Sequence, residues 1–116
     1  MNVVRFAAAP PYEAPGHDLM SMVRLQGREA GPADTLWLGV SRIEPGGGTT
    51  LDGSDIEKMY VVLEGEVAVS TGEEEVTLAR GDAAGIPAGE KRALANRTDR
   101  PAFILLAMPH KASSKA

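Results

Sequence analysis

Apolar and polar residues alternate with a period of two through most of this chain, and the pattern breaks wherever glycine and proline cluster. Residues 19–25 read as a first strand and 35–44 as a second, which carries Trp37 and which the block Pro45-Gly46-Gly47-Gly48 is expected to stop. Residues 58–70 alternate again and are rich in β-branched side chains, with a bend or bulge expected at Gly65. Residues 71–74 read as a hairpin turn that returns through 75–79. Short strands follow at 84–87, 91–96 and 102–108, separated by Arg80-Gly81-Asp82, Ala88-Gly89-Glu90 and residues 97–101. No segment combines helical periodicity with caps, so the spacing predicts an all-β sandwich or barrel.

Upstream, residues 7–17 contain Pro10, Pro11, Pro15 and Gly16, which exclude a helix and predict an extended arm. Such an arm is expected along a sheet edge or against a subunit neighbour. The organisation expected is a single domain: an N-terminal arm and first strand over 1–34, a barrel over 35–108 and a flexible tail over 109–116. Composition adds exclusions. A net charge of -4 with no basic stripe argues against nucleic acid. No apolar run approaches the length of a membrane span, and Met1 to Ala7 is too short and too weakly apolar for a signal peptide. The absence of cysteine removes disulfides, thiolate ligands and a thiol nucleophile, and fits a cytoplasmic protein.

The turn residues have a definite spacing. Gly46 is followed by five residues, Asp52-x-Ser54, three residues, Lys58, six residues and Gly65. A second run reads Gly81, five residues, Pro87-x-Gly89, two residues, Arg92, three residues and Asn96. This framework resembles the two motifs of the cupin superfamily, small β-barrels that usually hold a divalent metal with histidines and a glutamate. The resemblance implies a cupin-type double-stranded β-helix, a jelly-roll barrel, over 35–108. It also implies that Asp52, Ser54, Lys58 and Arg92 stand where metal ligands are usual.

Those four residues change the expected chemistry. Lys58 and Arg92 bring two positive charges into the space a dication would fill, so neither metal nor cofactor is expected. The two histidines, His17 and His110, lie outside both motifs. An unusual site of His17, Glu57 and Asp52 would require the arm to reach the barrel mouth. Lys58, Tyr60 and Val62 share one strand face, which the resemblance makes the interior. There Lys58 either pairs with Asp52 or Glu57, or has its pKa lowered by burial and by Arg92 and acts as a general base or imine-forming nucleophile. Arg92 either forms an internal ion pair with Asp52 or holds a carboxylate or phosphate in its planar fork. Asp52 as a base, Tyr60 as a proton donor, and Ser54 and His17 as ligand contacts complete the candidates. The function expected is binding of a small organic anion without a metal, with a metal-independent isomerase or lyase as its catalytic form. The alternatives are a non-catalytic sensory module and a divergent metal-dependent oxygenase or isomerase. A homodimer is expected, with residues 103–108 in the contact.

Overall fold

The computed structural model describes residues 1–110 of the chain. It is all-β: β1 (Pro11–Tyr12), β2 (His17–Gln26), β3 (Leu36–Thr49), β4 (Asp52–Gly53), β5 (Lys58–Glu64), β6 (Val67–Ser70), β7 (Glu75–Leu78), β8 (Ala83–Ile86), β9 (Lys91–Ala95) and β10 (Ala102–Pro109). Single 3-10 turns at Phe6–Ala8 and Arg28–Ala30 are the only helical segments among the described residues. One antiparallel layer runs β2-β3-β10-β5-β8, with β1 paired outside β2; the other runs β7-β6-β9, with β4 on β9. The layers wrap into a nearly closed jelly-roll barrel around Ile43, Val62, Val67, Val69, Leu94 and Ile104.

Most expected strands are present, and the arm pairs along a sheet edge as predicted, Pro11 opposite Val23 and Tyr12 opposite Met22. Two expectations fail. The second strand does not stop at Pro45; β3 continues through the glycine block to Thr49 and crosses from one layer to the other. Glycine there is a requirement of close approach: a Cβ on Gly48 would sit 2.1 Å from the Leu94 carbonyl oxygen. The tail also begins later than expected. Pro109 pairs with Leu36, and the His110 amide donates to the Thr35 carbonyl at 3.0 Å. Residues 111–116 of the expected tail lie outside the described residues.

Asn96 locks the crossing. It is 1% exposed, and its amide donates to the carbonyls of Ile43 (2.9 Å) and Arg100 (2.7 Å). Its side-chain oxygen accepts from the Thr98 amide (3.0 Å) and hydroxyl (2.7 Å). Its backbone closes the loop, the amide donating to Gly47 O and the carbonyl accepting from the Gly46 amide, both at 2.9 Å. One buried side chain thus ties β3 to the turn between β9 and β10, with its hydrogen-bonding capacity used.

The outward face of the larger layer carries an apolar patch edged by Arg42 and Glu64. Phe6 packs edge-on to Phe103 at 6.5 Å, and Phe6, Leu25, Val40, Leu63 and Phe103 line a shallow hollow of about 440 Å³. Met59 and Leu63 beside it are exposed at 50% and 44%.

Asn96→Ala removes the side-chain donor from the Ile43 carbonyl and leaves the Arg100 carbonyl only the Thr98 hydroxyl, so a loss of about 2–4 kcal/mol is expected. Urea unfolding of wild type and variant measures it. A loss under about 1 kcal/mol would remove Asn96 from its structural role.

Candidate functional site

β5 has the burial alternation of a strand with one face inward, and Lys58, Tyr60 and Val62 are its inward residues. Arg92 and Leu94 are the inward residues of β9, in the opposite layer. The two strands therefore aim two cations into one end of the barrel; Lys58 and Arg92 are each only 7% exposed.

Neither cation is neutralised as the ion-pair readings expected. The Lys58 ammonium donates to the Ser54 hydroxyl oxygen at 2.9 Å, and no ion pair joins it to Asp52 or Glu57. Ser54 is held by its own loop, accepting from the Ile56 amide at 3.2 Å and donating to the Ile56 carbonyl at 3.3 Å. Arg92 donates through Nε to the Tyr60 hydroxyl at 2.8 Å, and its terminal nitrogens make no hydrogen bond among the described residues. Asp52 lies directly opposite Arg92 in the β4–β9 pairing, but its exposed carboxylate accepts from the Thr50 hydroxyl at 3.1 Å instead. The strand register is as close as an ion pair needs; the side chain turns outward toward solvent, where the carboxylate keeps its hydration.

His17 stays apart from this cluster. It pairs with Thr49, and its Nδ1 lies 2.8 Å from the Pro15 carbonyl, which makes that nitrogen the donor. It lines a separate open cleft with Gly46, Gly47, Gly48 and Thr50. The arm does reach the barrel, but with Tyr12. The Arg24 guanidinium stacks 3.5 Å from the centre of the Tyr12 ring and 4.2 Å from that of Trp37, while its Nε donates to Glu29 at 2.9 Å. Nothing in the local sequence marks this cluster, because it depends on how β1 registers against β2.

The electrostatics follow the geometry. Burial, then the Arg92 charge, lowers the Lys58 pKa. Burial raises that of the Tyr60 phenol, and Arg92 opposes this through its charge and its hydrogen bond. The four residues at the ligand positions do not fit a divalent metal: two are cations, one is a hydroxyl, and the carboxylate points away. No group of three histidine, aspartate or glutamate residues suited to a metal occurs among the described residues. The arrangement can instead attract an anion, donate hydrogen bonds from a guanidinium, and offer an amine that loses its proton more readily than an ordinary lysine.

Comparison with known proteins places these features. The profile of the cupin domain family matches residues 39–108. A Mycobacterium tuberculosis protein named a beta-D-galactosidase is 40% identical over 116 residues, the whole of both chains. Among solved structures, the polyketide cyclase RemF from Streptomyces resistomycificus superposes with a TM-score of 0.84 at 22% identity, over 94% of this chain and 79% of its own. A sugar phosphate isomerase of the cupin superfamily from Silicibacter pomeroyi gives 0.78 at 25% identity, over 93% and 75%.

The pH dependence of stability reports on Lys58. In the unfolded chain this lysine keeps its proton to about pH 10.4. In the folded chain it loses it earlier, so the unfolded state binds more protons across the interval between the lowered value and about 10.4, and stability rises with pH there. Tyr60 acts oppositely, and only above about pH 10, where the unfolded phenol ionises first. Lys58→Met is expected to raise the melting temperature by a few degrees at pH 7 and to flatten the rise below pH 10. Thermal melts from pH 7 to 10 check it; an unchanged slope would mean that Lys58 is not desolvated.

Proposed function

The chain belongs to the cupin family, and from that premise we propose that its barrel recognises a small sugar-derived anion, a sugar phosphate or sugar acid, without a metal. The observation that carries this reading is the pair of buried cations, Lys58 and Arg92, aimed into one end of the barrel with no carboxylate bonded to either among the described residues. Two like charges in a low-dielectric interior repel, and an anion between them relieves both the repulsion and the unused donors of Arg92. The sugar component rests on the names of two relatives, a beta-D-galactosidase and a sugar phosphate isomerase. Arg92 holds the anionic head, with Ser54 and Lys58 beside it. In the catalytic form of this reading, the free amine of Lys58 removes the proton from the carbon next to a carbonyl while Tyr60 protonates the carbonyl oxygen; the ammonium then returns its proton to the former carbonyl carbon as the neighbouring hydroxyl gives its proton back to Tyr60, an isomerisation with no net proton change. A sensory module would bind the same anion without turnover.

Thermal melts with sugar phosphates, sugar acids and inorganic phosphate test the binding. A bound anion is expected to raise the melting temperature of the wild type and not of Arg92→Met, because ligand held only by the folded state stabilises it. No shift with any anion at millimolar concentration would sink the reading.

A second reading is favoured by the full-length likeness to the galactosidase: hydrolysis of a β-galactoside. Glycoside hydrolysis ordinarily uses two carboxyl groups. Here they would come from the rim, where Asp52 and Asp55 line a shallow cavity of about 360 Å³ with Ser54 and Lys91. Release of p-nitrophenol from p-nitrophenyl β-D-galactoside, lost in Asp52→Asn, would establish it; absence of release would remove it.

The proposed assembly is a homodimer through the apolar patch of the outer face, where Phe103, Leu105 and Ala107 of β10 lie with Met59 and Leu63 of β5. Sedimentation at about 10 μM is expected to give twice the chain mass, and Leu63→Glu to halve it. A wild-type monomer at that concentration would exclude the dimer.

A further inference from the structure

Tyr12, at the arm edge of the layer that also carries Lys58 and Tyr60, has no role in the reading above. Its position follows from strand register. Tyr12 lies opposite Met22, Met22 opposite Ser41, and Ser41 opposite Ile104, which is wholly buried in the barrel. Directly opposed residues share a face, so Tyr12 is on the inward face although it belongs to the arm. Tyr60 reaches the same face by the parallel route: it lies opposite Leu106, and Leu106 opposite Gly39. Gly39 is the seat of the Tyr12 hydroxyl. A Cβ there would come within 3.4 Å of that oxygen and 3.0 Å of the Trp37 ring.

The ring is immobilised on several sides. Arg24 stacks on it at 3.5 Å, and Trp37 meets it edge-on at 6.0 Å and 83°. Arg24 is itself neutralised by Glu29, so it serves as a clamp and needs no anion. Yet the hydroxyl that this packing positions makes no hydrogen bond among the described residues. Burial raises the Tyr12 pKa, Arg24 opposes it, and the next contribution is Tyr60, in keeping with two phenols facing one space. A pre-positioned, unused donor and acceptor on the inward face shared with Tyr60, which bonds Arg92, is the arrangement a two-ended ligand requires.

We propose that Tyr12, delivered by the N-terminal arm, contacts the hydroxylated part of a ligand whose anionic head sits at Lys58 and Arg92, and so selects sugar-derived anions over the bare anion. This rests on the anion-binding reading, and the test separates the two. Tyr12→Phe keeps the ring that Arg24 and Trp37 grip and removes only the oxygen, so its melting temperature should match that of the wild type. The probes are D-galactose 6-phosphate and inorganic phosphate. Binding is followed by calorimetry and by the emission of Trp37, the sole tryptophan, which touches the Tyr12 cluster.

The wild type is expected to bind the sugar phosphate more tightly than phosphate, and Tyr12→Phe to weaken the sugar phosphate about ten-fold while leaving phosphate unchanged. If the variant binds both as the wild type does, Tyr12 is only an anchor for the arm and this inference falls, with the anion site intact. If both ligands weaken equally, the loss is structural and the inference also falls. If the wild type binds neither, the anion reading falls and takes this inference with it.

Discussion

The fold depends on one close approach between backbones. At Gly48, β3 passes so near the carbonyl of Leu94 that no side chain fits between them. The two layers of the barrel are joined through that crossing, and a crossing made of glycines is flexible by itself. Asn96 supplies the stiffness. Its buried amide and the backbone bonds around it fix β3, β9 and the turn leading to β10 relative to one another. The apolar layer of Ile43, Val62, Val67 and Ile104 can then pack at interior density, because the strands that carry it have a single register.

Placing the constraint at that crossing leaves the other end of the barrel free to vary. Lys58, Arg92, Ser54 and Tyr60 sit at strand starts and in the loop before β5, and none of them joins the Asn96 network. Burying two cations costs stability, and the cost is moderated by hydrogen bonds to hydroxyls, with no countercharge bonded to either among the described residues. Carboxylate and imidazole suit a dication, ammonium and guanidinium an anion; these are opposite electrostatic fillings for one end of a barrel. The frame's own hydrogen bonds, centred on Asn96, do not pass through that end.

Which parts were legible in the sequence follows from the same division. Gly65, Gly81 and Gly89 all have positive φ, so their identities carried geometric information, and their spacing with Pro87 and Asn96 pointed to the barrel. The Pro45–Gly48 block was misread because a run of glycine looks alike whether it ends a strand or lets one pass close to another. The difference lies with Leu94, more than forty positions away. The shared face of Lys58 and Tyr60 was readable from period two, and the family resemblance made it the inner one. The partners of the two cations were not. Asp52 is correctly opposite Arg92, but whether its carboxylate turns inward is a rotamer choice set by hydration and by Thr50. His17 was a reasonable candidate for the residue the arm would deliver, and the structure delivers Tyr12, a result of β1–β2 register that no local pattern encodes.

That register gives the arm a significance beyond covering an edge. A two-residue strand such as β1 contributes few hydrogen bonds, too few to hold its place against the entropy of a proline-rich segment without help. The help comes from Arg24 and Trp37, which grip the Tyr12 ring, and from Gly39, whose missing side chain gives it room. A phenylalanine would keep the ring contacts with Arg24 and Trp37 and lose only the oxygen seated at Gly39. The ring contacts that anchor the arm do not require the hydroxyl, and its seat at Gly39 lies in the row that runs through Leu106 to Tyr60, the residue that Arg92 bonds.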